Sequence, residues 1–270
     1  MKIMGVVNVT PDSFVGDVRT PTVRGAIERC LALADQGAAI IDIGGESTRP
    51  GSTSVDLQVE LDRVMPVIEA LMPQLDPTVY VSIDTQKEQV ARAAVAAGAH
   101  IINDMSSTLG PVAGELGVGY VAAHMLRTPA TMQDDPRYDD VIGEILAEVT
   151  TTAQAALAAG ATTVWIDPGI GFGKTIEHNL QLLAHIDQFV MTGLPVLVGV
   201  SRKGFIGRLH TSSDQRIPLA DATATPTEDR VEASVALATW SASLGVDVVR
   251  VHDVWPTARS LDTFSGISTF

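Results

Sequence analysis

The sequence predicts an α/β protein, a single (β/α)8 TIM barrel. Eight short apolar, β-branched runs recur along the chain, helical patterns separate most of them, and the 270 residues suit one such barrel, typically about 250 residues long. Strand-helix units repeated in this way imply a parallel sheet, since each strand is reached through a crossover.

The first run, residues 3–9, is followed by a loop and a helix over 22–36 that Gly37 stops. The second, 39–43, leads through a loop to a helix over 55–71. The third, 79–83, ends in Asp84; Thr85 with Glu88 three residues on reads as a capping box opening a helix to Ala97, closed by Gly98. The fourth, 100–102, ends in Asn103 and Asp104, and a weak helix follows near 111–116. The fifth, 120–123, ends in His124; a long loop over 125–138 precedes a helix over 140–159, stopped by Gly160. The sixth, 163–166, ends in Asp167. The seventh, 195–200, leads into Ser201, Arg202 and Lys203, and a polar Ser/Thr/Pro-rich stretch over 207–229 reads as a mobile loop. A helix over 230–243 precedes the eighth run, 246–251, which contains Arg250 and ends in His252 and Asp253. Residues 1–264 thus form one barrel, with 265–270 a frayed tail.

The active site of such a barrel lies at the C-terminal ends of its strands. The side chains there are Asn8, Asp42, Asp84, Asn103, His124, Asp167, Lys203 and His252. Isolated buried charges are costly, so packing alone does not explain apolar strands that each end in a polar or ionisable group. Asp42 and Asp104 equally suit capping a helix or pairing within the set. The stretch 40–51 shows the pattern most plainly: an apolar strand stops in a loop carrying Glu46, Ser47, Thr48 and Arg49, stiffened by Pro50 and Gly51.

Charge and composition narrow the function. With 18 basic and 32 acidic residues the net charge is -14, which argues against a protein that tracks nucleic-acid phosphates. An anionic ligand must therefore meet local cations or a metal. The one cysteine, Cys30, excludes an internal disulfide and a cysteine-based zinc site, and suits a reducing cytoplasm. Its apolar helical neighbours make it a core residue. No run is long enough to span a bilayer, and the N-terminus enters an apolar strand without the pattern of a signal peptide, so no membrane partner is expected.

Gly173, Lys174 and Thr175 resemble the end of a phosphate-binding P-loop, but Pro168 stands where that motif needs glycine. Gly169, Gly171 and Gly173 lack dinucleotide-fingerprint spacing and serve better to turn the backbone tightly after Asp167. His100, His178, His185 and His210 show no partner pattern. No metal cage is legible; Asn8 or a loop carboxylate can supply one oxygen to a magnesium ion held mostly by substrate phosphates. Arg49 and Arg250 can offer planar, charge-assisted hydrogen bonds to phosphate oxygens.

Seven motifs then occur in order: Asn8-Val-Thr-Pro-Asp-Ser-Phe14, Gly44-Gly-Glu-Ser-Thr-Arg-Pro-Gly51, Ser82-Ile-Asp-Thr85, Ile102-Asn-Asp104, Asp167-Pro-Gly-Ile-Gly-Phe172, Ser201-Arg-Lys203 and Arg250-Val-His-Asp253. In order and spacing they resemble the dihydropteroate synthase family, across nearly the whole chain. The resemblance implies a homodimeric, magnesium-assisted barrel that joins p-aminobenzoate to 6-hydroxymethyl-7,8-dihydropterin pyrophosphate and releases pyrophosphate, in folate biosynthesis. It implies that Asp84, Asn103 and Asp167 read the pterin edge, Lys203 meets a ring acceptor, and Arg250 stacks on the ring. Asn8, Thr48, Arg49 and His252 would bind pyrophosphate, with Asn8 toward Mg2+. Phe14, Pro50, Lys203 and Gly204 would bind p-aminobenzoate, its carboxylate near a helix opening at Gly204. Arg49, Lys203 and His252 would carry the catalytic charge, in a dissociative, SN1-like route needing no protein nucleophile.

The chain departs from the family after Phe14, where the usual Ser-Asp-Gly-Gly is Val15-Gly16-Asp17-Val18, so the loop aspartate is displaced. Arg230-Val-Glu-Ala-Ser234 replaces an Arg-x-x-Gly-Thr pattern, and the segment after His124 also differs slightly. Two rival functions stay open on sequence: a paralogue that binds pterin without turnover, and a folate-dependent methyltransferase acting on a corrinoid. The second leaves the Arg49 loop unexplained.

Overall fold

The computed structural model describes residues 1–10, 22–49 and 51–267, so Phe14, the segment 15–18 and Pro50 lie outside the described residues. Eight parallel strands form the sheet: β1 (Lys2–Asn8), β2 (Ile40–Gly44), β3 (Tyr80–Asp84), β4 (Ile101–Asp104), β5 (Gly119–Ala123), β6 (Val164–Asp167), β7 (Leu197–Val198) and β8 (Val248–Val251). Their order, β6-β5-β4-β3-β2-β1-β8-β7, becomes a nearly closed barrel through one bridge between Ile166 and Val196.

Alternation along each strand builds two cores. Leu33, Ile41, Ile68, Ile83, Ile102 and Val249 are fully buried between sheet and helices, each worth about 2 kcal/mol for a fully buried aliphatic side chain. Met4, Ile40, Ile101, Val121, Leu197 and Val248 fill the barrel bore. Two residues further along the same strands, the inward period-2 face carries Asp42, Asn103 and Arg250 in place of hydrocarbon. The bore is therefore apolar at its base and ionisable at its C-terminal mouth.

The helices pack outside: α1 (Val23–Asp35), α2 (Leu57–Leu71), α3 (Glu88–Ala96), α4 (Gly110–Leu116), α5 (Val141–Ala159), α6 (Ile176–Ala184), α7 (Ile186–Val190), α8 (Gly204–Gln215), α9 (Val231–Ser243) and α10 (Val254–Ile267). Thr22 and Asp140 cap α1 and α5 by accepting from the amides of Gly25 and Gly143. Cys30 is a fully buried core residue of α1.

Four expectations need correction. Thr85 does not cap α3: its hydroxyl donates to Glu60 at 2.6 Å, and Lys87 occupies the cap position without a side-chain capping bond. The sequence reading placed no helix between the sixth and seventh strands, where α6 and α7 stand; α6 opens on a Thr175–His178 capping box. The stretch 207–229 is not a featureless loop, because α8 runs to Gln215 and two 3-10 turns, Leu219–Asp221 and Thr227–Arg230, follow. Residues 265–267 continue α10. No helix among the described residues is long and apolar enough to cross a membrane.

Candidate active site

At the mouth of the bore one guanidinium joins two strands. Arg250 of β8 donates from Nε to Asp42 Oδ2 of β2 at 2.7 Å and from Nη2 to Asp84 Oδ2 of β3 at 2.6 Å. Asn103 of β4 donates to the same Asp42 oxygen at 3.1 Å, while Asp42 Oδ1 is buried and, among the described residues, has no partner. Burial would lower the Arg250 pKa; the Asp42 and Asp84 carboxylates reverse that and raise it above its ordinary value. Burial pushes Asp84 up to about 7 against the pull of Arg250, with Asp42 adding to the rise. Two carboxylates facing one fixed cation leave the mouth able to take one more proton or donor.

Asp167 continues this arc. Burial raises its pKa, and the Gly169 amide, bonded at 2.8 Å, together with Lys203, Lys174 and Arg250 pulls the other way. Glycine is required at the left-handed turn of Gly169 (φ 65°), because a Cβ there would stand 1.8 Å from the His124 carbonyl oxygen. Lys203 lies over the Phe172 ring at 4.1 Å, and burial with the Arg250 charge lowers it to about 8. Lys174, 4 % exposed, bonds His124 Nδ1 at 2.9 Å and the Phe172 carbonyl at 3.0 Å, so it pins the 169–174 loop from beneath. Burial lowers Lys174 to about 7.

His252 sits beside this arc. Its amide donates to Ser201 Oγ at 3.1 Å, its Nδ1 lies 3.1 Å from the same hydroxyl, and burial with the nearby Arg250 and Arg202 charges lowers it to about 3. Arg202, held at φ 58°, makes a two-pronged ion pair with Asp253 at 2.6 and 2.8 Å, and its amide donates to Ser234 Oγ at 2.9 Å. Arg230 donates to the Arg202 carbonyl at 3.0 Å. The Arg230-to-Ser234 segment therefore braces the turn that presents Lys203.

The structure thus brings together Asp84, Asn103, Asp167, Lys203 and Arg250, with His252 alongside. Asn8, half-buried, ends β1 beside Gly44. Thr48 and Arg49 stand apart on the loop after β2. Arg49 is exposed and, among the described residues, its guanidinium forms no ion pair. Gly51 ties this loop to the next wall by donating to the Pro129 carbonyl at 2.9 Å. Gly204 is exposed at the first turn of α8, leaving backbone amides as the donors there. Asp104, by contrast, is spent on local structure: it accepts from the amides of Ser106, Thr108 and Leu109 and from the Tyr120 hydroxyl.

Asp42, read as a helix cap or a partner within the mouth set, is the partner of Arg250 and Asn103, whereas Phe172, Ser201 and Lys174 had no side-chain role assigned. Asp42 and Arg250 carried a usable signal, since each is a lone charge inside an apolar strand and so needs a buried partner. Lys174 carried none, because its neighbours in sequence mimic a different motif.

Fold and site define a parallel-barrel enzyme whose strand ends gather carboxylates, a guanidinium held between two of them, and a lysine. The chain belongs to the pterin binding enzyme family, whose model matches residues 4–252. It is 39 % identical to the dihydropteroate synthase of Escherichia coli (strain K12) over 267 residues, covering 96 % of this chain and 89 % of that one. Among solved structures it resembles Xanthomonas albilineans dihydropteroate synthase with 4-aminobenzoic acid, at TM-score 0.87 and 41 % identity over 100 % of this chain and 93 % of that one. It also resembles the Thermus thermophilus dihydropteroate synthase in complex with 6HMPPP, at TM-score 0.80 and 36 % identity over 99 % and 93 %.

Proposed function

We propose that this chain is a dihydropteroate synthase, condensing 6-hydroxymethyl-7,8-dihydropterin pyrophosphate with p-aminobenzoate in folate biosynthesis. The observation that carries the reading is the arc of Asp84, Asn103, Asp167, Lys203 and Arg250 at one barrel mouth. A pterin edge of ring N–H and amino donors suits Asp84 and Asp167, the Asn103 amide suits a ring donor or acceptor, and Lys203 suits the oxo group. Arg250, fixed in place by two carboxylates, offers a planar face for stacking.

In the reaction the bond from the pterin methylene carbon to the pyrophosphate oxygen breaks, and pyrophosphate leaves with the electron pair. The p-aminobenzoate nitrogen forms the new bond to that carbon, and its surplus proton goes to solvent. Arg49 and Thr48 bind the leaving group from the β2 loop. His252, kept neutral at physiological pH, donates a hydrogen bond to it while Ser201 fixes the ring. Phe14, Pro50, Lys203 and the amides beginning at Gly204 hold p-aminobenzoate and its carboxylate.

Among the described residues no cluster of three or more His, Cys, Asp or Glu forms a metal cage. One neutral oxygen from Asn8 fits magnesium, which keeps most of its shell in water and substrate phosphates. When bound, the ion would neutralise charge on the departing pyrophosphate. A homodimer is supported by the exposed Trp240, 50 % accessible, in a groove shared by α9 and α10. A cytoplasmic place is supported by the lone, reduced cysteine.

The test is a steady-state assay of pteroate and pyrophosphate with both substrates, with and without p-aminobenzoate and Mg2+. Pteroate formed only with both substrates supports the reading. Calorimetric pterin binding by folded protein that makes no pteroate would replace it with a non-catalytic pterin binder.

A further inference from the structure

A part-buried ion cluster lies outside the pterin arc. Glu46 Oε2, on the loop after β2, accepts from the Val55 amide at 2.8 Å and the Ser54 hydroxyl at 3.0 Å, which closes the loop from 46 to 55 with one carboxylate. Lys87 Nζ donates to the same oxygen at 2.6 Å and to Glu60 Oε2 at 2.5 Å. Glu60, fully buried on α2, takes the Thr85 hydroxyl on its other oxygen at 2.6 Å. Thr85 directly follows Asp84.

The loop base is fixed from below as well. Arg63 donates to the Gly45 carbonyl at 2.7 Å, and a Cβ at Gly45 would stand 2.7 Å from Val64 and 3.0 Å from Glu60 Cγ, so glycine is needed for the loop to sit on the cluster. Burial would lower Lys87 and raise Glu46, yet the hydrogen bond between them outweighs burial in both, so each favours its charged form. A charge network of this kind is expensive to bury for stability alone. Its ends are the loop carrying Thr48 and Arg49 and the strand end carrying Asp84.

We propose that Glu46, Lys87 and Glu60 are positioning residues that clamp the base of the Arg49 loop to the strand end carrying Asp84. The clamp sets the registry of the loop base with the pterin pocket. The kinetic arm of the test rests on the synthase reading; the loop-order arm does not.

Cys30 is buried, so a Thr53→Cys substitution on the exposed loop gives one reactive thiol for a fluorophore. In that background Lys87→Met should lower the label's anisotropy and cut turnover at least tenfold, with pterin affinity within twofold of the parent; Lys87→Arg should recover part of both. Glu46→Gln, a milder change, keeps the proposal testable if Lys87→Met folds poorly, and should move anisotropy and turnover in the same direction. Unchanged anisotropy in Glu46→Gln and Lys87→Met overturns the clamp. So does an equal loss of pterin affinity and turnover, which marks a general packing role. If the parent makes no pteroate, a fall in anisotropy still supports the clamp while the synthase reading fails.

Discussion

Lys174 Nζ lies 2.9 Å from His124 Nδ1, and each residue is only 4 % exposed. Lys174 also donates to the Phe172 carbonyl, so the pair is best satisfied with His124 accepting at Nδ1 and carrying its proton on Nε2, toward Glu148 at 3.7 Å. The residues facing Lys174 are Asp167, Lys203, Glu148, His124 and His178. Its charge therefore helps keep Asp167 ionised next to the pocket.

Replacing Lys174 with Met should move the acid limb of pterin binding to higher pH. The charge lowers the Asp167 pKa, so removing it lets burial raise that acid further, and less carboxylate is present at a given pH. Calorimetric titration with pterin pyrophosphate between pH 5.5 and 8 would show the shift; superimposable pH profiles would refute it.

The same pair controls acid stability. Burial and the Lys174 charge lower His124 to about 3 from an ordinary 6.5. Between those values the unfolded chain takes up a proton that the folded chain refuses, so stability falls as pH drops, by about 1.4 kcal/mol per unit for one proton. In His124→Gln that loss disappears, and urea unfolding at pH 4.5, 5.5 and 6.5 should give a flatter dependence than the parent. Parallel curves would mean that His124 is charged in the fold.

The Asp42–Arg250–Asp84 trio should respond unequally to its two simplest lesions. Arg250→Met leaves two buried carboxylates without their cation, a change that costs about 3–5 kcal/mol. Asp42→Asn keeps the Asp84 pair, replaces a carboxylate whose Oδ1 already lacks a partner, and should cost well under half as much. It should also bring the Asp84 acid down from about 7, since Asp42 is one of the charges that raise it. Denaturant unfolding of both variants decides this; an equal loss would show that the three groups act as one unit.

The barrel was legible because its signals are local and repeated. β-branched runs, and Gly98 and Gly160 as helix stops, each act within a few residues. The site was legible as a set of strand ends, but its wiring was not. Arg250 meets Asp42 across 208 positions of sequence, and only barrel closure makes them neighbours. Thr85 shows the opposite failure: a correct local cap signal was overridden by the buried Glu60, which offers its hydroxyl a stronger, charged acceptor. The helix α6 went unread because Gly169, Gly171 and Gly173 drew the segment toward loop chemistry, although Thr175 and His178 do form a capping box three residues apart.

Arg49 tests how the labour is divided between the pocket and its loop. Asp84, Arg250, Asp42 and Asn103 are joined by direct bonds at the mouth, whereas Arg49 is exposed and, among the described residues, pairs with no carboxylate. A cation left unpaired is available to a charge that appears only during reaction, and stabilisation of that kind lowers the barrier without tightening ground-state binding. Arg49→Ala should therefore reduce kcat by about 100-fold, in the range found for removing one preorganised donor, while the affinity for a pterin lacking pyrophosphate stays within about twofold of the parent. Because the side chain is exposed and buries little surface, the melting temperature should barely move. Pre-steady-state release of pyrophosphate, set beside pterin calorimetry, separates the two effects, and a variant with full turnover would remove Arg49 from the leaving-group site.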